Sequence, residues 1–135
     1  MNIFLDACMA VSRKNKRPIR VGGQGYLWWV TSDDPLLSGS LCLSLAVVSE
    51  SGDFFIKYFL GQPEDVRHVE VMGRRFRSIA GCGGVHRRFL CPAIENEACI
   101  TPSDVAALIA WATLPSNDVV EVNYMGTPIA ANGEA

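Results

Sequence analysis

Apolar and polar positions alternate over much of the first half of the chain, a pattern typical of β-strands. The clearest case is residues 41–48, where every second residue is Leu or Val. A polar turn follows at residues 50–53, and the aromatic-rich residues 54–60 predict a returning strand. Together these segments predict a β-hairpin.

A second hairpin is predicted near the start of the chain. Residues 19–21 and 26–30 are rich in β-branched and aromatic residues, and three of the four residues between them are glycines. Glycine supplies the positive φ that a tight hairpin turn requires. Two further short strands are predicted at residues 86–91, which end before a proline, and at residues 118–124.

Residues 62–81 fit two kinds of secondary structure. Pro63 and the apolar residues that recur at three- and four-residue spacing are compatible with a helix. However, the Ile-x-Val-x-Gly-x-x-Tyr pattern of residues 19–26 recurs as Val-x-Val-x-Gly-x-x-Phe at residues 69–76. This repeat favours a strand, a glycine turn and an aromatic strand in both places. We therefore predict strands here.

One helix is predicted in the last third of the chain. Thr101 is a suitable N-cap, Pro102 fits the first helical position, and Asp104 suits the positive end of a helix. The apolar stripe of this helix consists of Val105, Leu108, Ile109 and Ala112. We therefore expect an α+β fold in which one main helix packs on one face of a twisted antiparallel sheet.

The length of 135 residues fits one domain. We expect an N-terminal segment with a basic stretch at residues 1–18, a single α+β domain at 19–124 and a flexible tail at 125–135. The longest uncharged stretch, 35–49, is shorter than the roughly 20 apolar residues of a membrane-spanning helix, so no membrane partner is expected. Five irregularly spaced cysteines favour buried, free thiols and a cytoplasmic location.

Charge is distributed unevenly, although the net charge is only −2. One basic group lies within residues 13–20 and contains Arg13, Lys14, Lys16, Arg17 and Arg20. A second basic group consists of Arg74, Arg75, Arg77, Arg87 and Arg88. From residue 91 onwards there is no Lys or Arg, but there are six carboxylates. The chain therefore has a basic front and an acidic back, which would suit self-association.

The second basic group raises nucleic-acid binding as an alternative function. Phosphates are bound by clustered Lys and Arg, and single-stranded bases stack on aromatic rings such as those of Trp29, Phe76 or Phe89. The slightly acidic net charge argues against a dedicated nucleic-acid binder. A nucleic-acid-binding accessory domain is therefore kept as the second interpretation.

Cysteine and histidine residues are candidates for metal binding and for catalysis. The spacing of Cys82, His86, Cys91 and Cys99 lacks the close cysteine pair with which structural zinc sites usually begin, so neither a metal nor a cofactor is predicted. Cys82, which is near His86 and Arg87 in sequence, is the one candidate nucleophile. No recognisable catalytic signature surrounds it. A Cys-dependent enzyme is the third interpretation.

Protein binding is the interpretation that the sequence favours most. Residues 26–30 are apolar on both faces of one strand, and a single helix covers only one face of a sheet. We therefore expect Leu27 and Trp29 to be exposed, and exposed Trp beside Arg is typical of interaction hot spots. The predicted binding residues are Tyr26, Leu27, Trp29, Arg74, Arg75, Arg77, Arg87 and Arg88. The partner would be another protein or a second copy of this chain.

Two segments resemble a group of small uncharacterised bacterial proteins. They are the Val-x-Gly-x-x-Tyr-x-Trp hairpin at residues 21–28 and the helix that Thr101 and Pro102 begin. The resemblance implies a bacterial, cytoplasmic, stand-alone domain, and no functional residue is carried over from it. Small size and the lack of catalytic signatures lead us to predict an interaction protein of the immunity, antitoxin or scaffolding kind.

Overall fold

The computed structural model describes residues 15–32, 43–73, 76–77, 87–116 and 118–129. Within these residues the fold is α+β, with seven strands in one antiparallel sheet and one α-helix. The strands are β1 (Arg17–Val21), β2 (Gln24–Ser32), β3 (Leu43–Ser49), β4 (Phe54–Phe59), β5 (His68–Gly73), β6 (Arg87–Leu90) and β7 (Glu121–Val122). The helix is α1 (Pro102–Ala112).

Every strand pairs with its neighbour in sequence, so the sheet is a meander with the order β1 to β7. The hairpin of β1 and β2 is confirmed. Gly22 and Gly23 form its two-residue turn with φ values of 60° and 82°, and Val21 pairs with Gln24 to close it. Strand β2 is longer than predicted, because it continues to Ser32.

The hairpin of β3 and β4 is also confirmed. Its turn is held by Ser49, whose hydroxyl donates to the Asp53 carboxylate at 2.8 Å. Gly52 in this turn has a φ of 78°, which a side-chain-bearing residue rarely adopts. Residues 41 and 42, which the prediction included in β3, lie outside the described part of the chain.

The strand interpretation of residues 69–73 is confirmed by β5, and a 3₁₀ turn at Glu64–Val66 precedes it. The second half of the predicted repeat is wrong, since Phe76 is not in a strand. Gly73 lies so close to β4 that a Cβ there would collide with the Asp53 carbonyl oxygen, and its φ is 114°. The Phe76 ring is in the core instead, stacked on Phe89 with 4.7 Å between ring centroids.

The predicted helix is confirmed in detail. Thr101 and Asp104 form a capping box, in which each side chain accepts a hydrogen bond from the backbone of the other. The predicted apolar stripe is buried. It belongs to one hydrophobic cluster with inward-facing residues of the sheet, which include Trp28, Val47, Ile56 and Val71.

The C-terminal part of the described chain is less regular than predicted. Strand β7 has two residues instead of seven. The segment after it turns back, because the Asn123 amide donates to Thr127 and the Ile129 amide donates to Glu121, both at 2.9 Å. The sequence predicts a flexible tail from residue 125 onwards. Residues 125–129 instead pack along the side of β7 that faces away from β6. No helix in the described ranges is long and apolar enough to span a bilayer.

Candidate protein-interaction site

A cleft with a volume of about 350 Å³ lies at the end of β2 and the start of β3. Its lining is mostly apolar and also includes a cation and a carboxylate. The lining residues are Asn15, Arg17, Trp28, Trp29, Val30, Leu43, Leu60, Glu97, Ala98 and Ile100. This volume is near the lower end of the roughly 300–1,000 Å³ that is usual for ligand pockets.

The cleft forms because β1 is shorter than β2. The two-residue turn sets the register, so that the first residue of β1, Arg17, pairs with Trp28. Strand β2 continues for residues 29–32 beyond that pair. In the described part of the chain no strand covers the outer side of this extension, which we call the β2 overhang.

Trp28 and Trp29, where the overhang begins, are on opposite faces of the sheet. Each has a cation beside it. The Lys16 Nζ is 4.7 Å from the centroid of the Trp29 ring, and the Arg17 guanidinium is 5.5 Å from that of Trp28. These distances are within the range of cation–π interactions. Trp29 is partly exposed, as predicted, whereas Trp28 is 5% exposed and belongs to the core.

Apolar surface and positive charge meet at the mouth of the cleft. Val30 and Leu43 are 43% and 44% exposed. Among the described residues, no carboxylate forms an ion pair with Lys16 or Arg17. This combination of Trp, Arg and exposed aliphatic groups matches the composition of protein-interaction hot spots.

The wall of the cleft opposite the overhang is fixed by Glu97. Its carboxylate accepts hydrogen bonds from the Tyr58 hydroxyl at 2.6 Å and from the Gly61 amide at 2.7 Å, and the Arg67 Nε is 3.8 Å away. Burial, together with the hydrogen bond to Glu97, raises the pKa of Tyr58 to about 12. The Glu97 carboxylate is therefore held in place by the fold and has Arg67 as a neighbouring cation.

Two of the predicted binding residues on β2 are in the interior. Tyr26 is 2% exposed and packs edge-on against Phe54, with 6.4 Å between ring centroids. The expectation that Leu27 is exposed is wrong, because it is 4% exposed. Leu27 lies between Pro18 on β1 and Val48 on β3, and side chains at such paired positions enclose one another.

The second basic group does not form one surface in the described residues. Arg77 is buried at the end of α1, where it contacts Asp118. Arg87 and Arg88 are adjacent in β6 and therefore point to opposite faces of the sheet. Arg87 donates to Glu121 at 2.7 Å and Arg88 donates to Glu70 at 2.6 Å. Their charges are therefore paired with carboxylates, while Arg74 and Arg75 lie outside the described residues.

The structure describes two of the four residues in the Cys/His set. Burial raises the pKa of the Cys91 thiol to about 12, which makes it a poor nucleophile. Cys99 is exposed and not in the core, which corrects the expectation of a buried thiol. Cys82 and His86 lie outside the described ranges. Within those ranges no three His, Cys, Asp or Glu side chains are placed to bind a metal.

In comparisons with known proteins, no family model, curated protein or solved structure matches this chain. The resemblance to small bacterial proteins therefore stays a prediction. The case for a function depends on the geometry of the cleft.

Sequence reasoning missed most residues of the site, among them Lys16, Arg17, Val30 and Leu43. The basic stretch that contains Lys16 and Arg17 was visible, but its position beside the cleft depends on the register of the first hairpin. The Gly22–Gly23 turn is the signal that could have set this register. Counting back from it pairs Arg17 with Trp28 and leaves the end of β2 with no described strand on the side away from β3.

Proposed function

We propose that this chain is a small protein-interaction domain and that the cleft at the β2 overhang is its docking surface. The observation that supports this proposal most directly is the combination of exposed Val30 and Leu43 with Lys16 and Arg17, two cations beside the indoles that form no ion pair with any described carboxylate. Burial of Trp29 and Arg17 against a partner would follow the usual pattern, in which a few Trp and Arg residues carry most of the binding energy.

The biological setting is part of the same proposal. We propose a bacterial, cytoplasmic protein that neutralises a toxin or serves as a scaffold. Free thiols at Cys91 and Cys99 are consistent with a reducing compartment. We also propose that α1 covers one face of a twisted sheet. Its buried stripe belongs to the same cluster as the sheet residues, and antiparallel sheets of this size normally twist.

A pair of matched variants tests the docking surface. Val30→Asp puts a charge at the mouth of the cleft, and Val120→Asp makes the same change at the far edge of the sheet, beside β7. The two valines are 43% and 46% exposed, so both variants should keep the thermal stability of the wild type.

The assay is affinity capture of partner proteins from nuclease-treated extracts of the cells that produce the chain. We expect the wild type and Val120→Asp to capture the same protein, and Val30→Asp to lose it by at least about tenfold, which corresponds to about 1.4 kcal/mol. Equal capture by all three proteins would contradict the proposal. Capture of proteins from untreated extracts that is lost after nuclease treatment would favour the nucleic-acid alternative.

A further inference from the structure

The backbone of the β2 overhang offers hydrogen-bonding groups to the cleft. In an antiparallel sheet, successive residues of a strand direct their N–H and C=O groups to alternate neighbours. The Gly25 carbonyl accepts from the Glu50 amide at 2.9 Å, so Gly25, Leu27 and Trp29 face β3. Val30 therefore faces the other side, where β1 has already ended and no described strand is present.

The rest of this edge of the sheet is unsuited to strand addition. Arg17 faces β2 through its pair with Trp28, so the next residue, Pro18, faces outward from the edge. Proline has no N–H to donate, and prolines and charges on edge strands oppose pairing with another chain. Residues 29–32 contain no proline, so every residue of the overhang has both a backbone donor and a backbone acceptor.

The charges around the overhang select the kind of segment that would fit. Lys16 and Arg17 are on opposite faces of the sheet, one beside each indole. Side chains of an added strand would also alternate between the two faces, so acidic residues on either face would meet a cation. Glu97, the carboxylate in the cleft lining, has Arg67 beside it, and this cation reduces its repulsion of acidic residues.

We propose that the cleft binds an extended, acidic segment of a partner protein by strand addition. The segment pairs with the backbone of Val30, places an apolar side chain against Leu60 and Ile100, and directs carboxylates to Lys16 and Arg17. This inference rests on the proposed function and adds the binding mode and the chemistry of the partner. Main-chain hydrogen bonds provide affinity in this mode, and side-chain pockets provide specificity.

Selection from a random dodecapeptide library displayed on phage, with the intact chain as the target, provides the probe. We expect the selected peptides to be enriched in Asp and Glu together with one large apolar residue. The strongest peptide is then synthesised, and its affinity is measured by fluorescence polarisation. An analogue with Asn and Gln in place of the acids should bind about tenfold more weakly, and the loss should shrink at high salt.

N-methylation of the peptide tests the binding mode directly. Two analogues are made, each with methyl groups on one of the two alternating sets of backbone amides. A strand added at an edge pairs through one side only. One analogue should therefore lose affinity by at least about tenfold, while the other should keep it. This measurement uses the wild-type protein and does not depend on the folding of any variant.

Variants of the protein test the residues. Val30→Pro removes an N–H that points away from β3 and donates to no described residue, so this variant should fold and lose the peptide at least about tenfold. Arg17→Gln should weaken binding about three- to tenfold. The matched control is Arg20→Gln, which removes the same charge near the hairpin turn, outside the cleft, and should change affinity less than about twofold.

In the selection experiment, peptides without acidic enrichment, or no selected peptide at all, would overturn this inference. In the affinity measurements, equal affinity of the two N-methylated analogues, or equal effects of Arg17→Gln and Arg20→Gln, would do the same. A dimer of the chain that Val30→Asp dissociates would identify a second copy as the occupant and would also overturn it. The proposed function is judged separately by the capture experiment, because it requires a partner at the cleft but not an acidic strand.

Discussion

The guanidinium of Arg77 joins the C-terminal end of α1 to the segment that follows it. Its Nη1 donates to the Trp111 carbonyl and its Nε donates to the Ser116 carbonyl, both at 2.9 Å. Its Nη2 donates to the Ser116 hydroxyl at 2.7 Å and to the Asp118 carboxylate. The side chain is 3% exposed. We predict that Arg77→Ala destabilises the fold, because these acceptors lose their donor.

The expected loss follows from these contacts. Hydrogen bonds that involve a charged group contribute about 1.5–3 kcal/mol each, and the lower value for the two carbonyls sums to about 3 kcal/mol. A cation near the last carbonyls of a helix adds about 0.5 kcal/mol. The Asp118 side chain is 80% exposed, so nothing is added for that ion pair. Arg77→Ala should therefore lower the free energy of unfolding by about 3.5 kcal/mol.

The backbone provides a second, independent comparison. Arg77 has a φ of 54°, in the left-handed region, which costs a residue with a side chain about 1 kcal/mol. Arg77→Gly loses the same hydrogen bonds as Arg77→Ala but relieves this strain. We expect the glycine variant to be more stable than the alanine variant by about 1 kcal/mol.

Urea unfolding at pH 7 measures both differences, provided that the dependence on urea concentration is unchanged between variants. Arg20→Ala is the matched control, because this exposed arginine donates to the Gly23 carbonyl and to no other described residue. Its loss should cost less than about 0.5 kcal/mol. A loss below about 1 kcal/mol for Arg77→Ala would refute the role assigned to the guanidinium. A glycine variant no more stable than the alanine variant would refute the argument from strain.

Three further predictions concern acid stability, the core and the thiols. The hydrogen bonds from Arg87 lower the pKa of Glu121 in the folded protein. The stability that this pair contributes is therefore complete above the pKa of Glu121 in the unfolded chain. It is lost as the pH falls through the lower pKa of the folded state. Glu121→Gln should therefore flatten the fall in unfolding free energy below about pH 4.3, and an unchanged curve would contradict this assignment. Phe76→Ala, at a fully buried ring, should lower the free energy of unfolding by about 3–4 kcal/mol in urea, and a loss under about 1 kcal/mol would show that the ring is not part of the core. In native protein treated with iodoacetamide, peptide mapping should find Cys99 alkylated and Cys91 protected. Cys99 is exposed, whereas burial raises the pKa of Cys91 to about 12. Equal rates of alkylation would argue against this burial.

Local signals predicted the elements that local physics determines. The alternation in residues 41–48 and the polar turn after it predicted the β3–β4 hairpin, because side chains at every second position of a strand share one face. Burial alternates along β4, whereas residues 44–49 of β3 are buried on both faces. The α1 helix was predicted with its N-cap, since a capping box and an N-terminal proline act within a few residues. In both cases the stabilising contacts are close in sequence.

Long-range packing determined what sequence reasoning missed. Phe76 is in the core because Phe89 and Trp111, which are far from it in sequence, surround its ring. The buried position of Arg77 likewise depends on carbonyls more than thirty residues away. A local repeat that ends at Phe76 contains no information about such partners, so it predicted a strand where the chain leaves the sheet.

The candidate site also has a different origin from the one the sequence suggested. The sequence predicts that one face of the sheet stays exposed, because one helix cannot cover both faces. In the structure, Leu27 and Val48, on the face predicted to be exposed, are buried. What distinguishes Val30 from Leu27 is the number of neighbouring strands. Among the described residues, Leu27 has a paired residue on each side, whereas Val30 has one on β3 alone. The difference in length between β1 and β2 therefore creates the exposed apolar surface, and shifting the register of the first hairpin would remove the cleft without changing the composition of either strand.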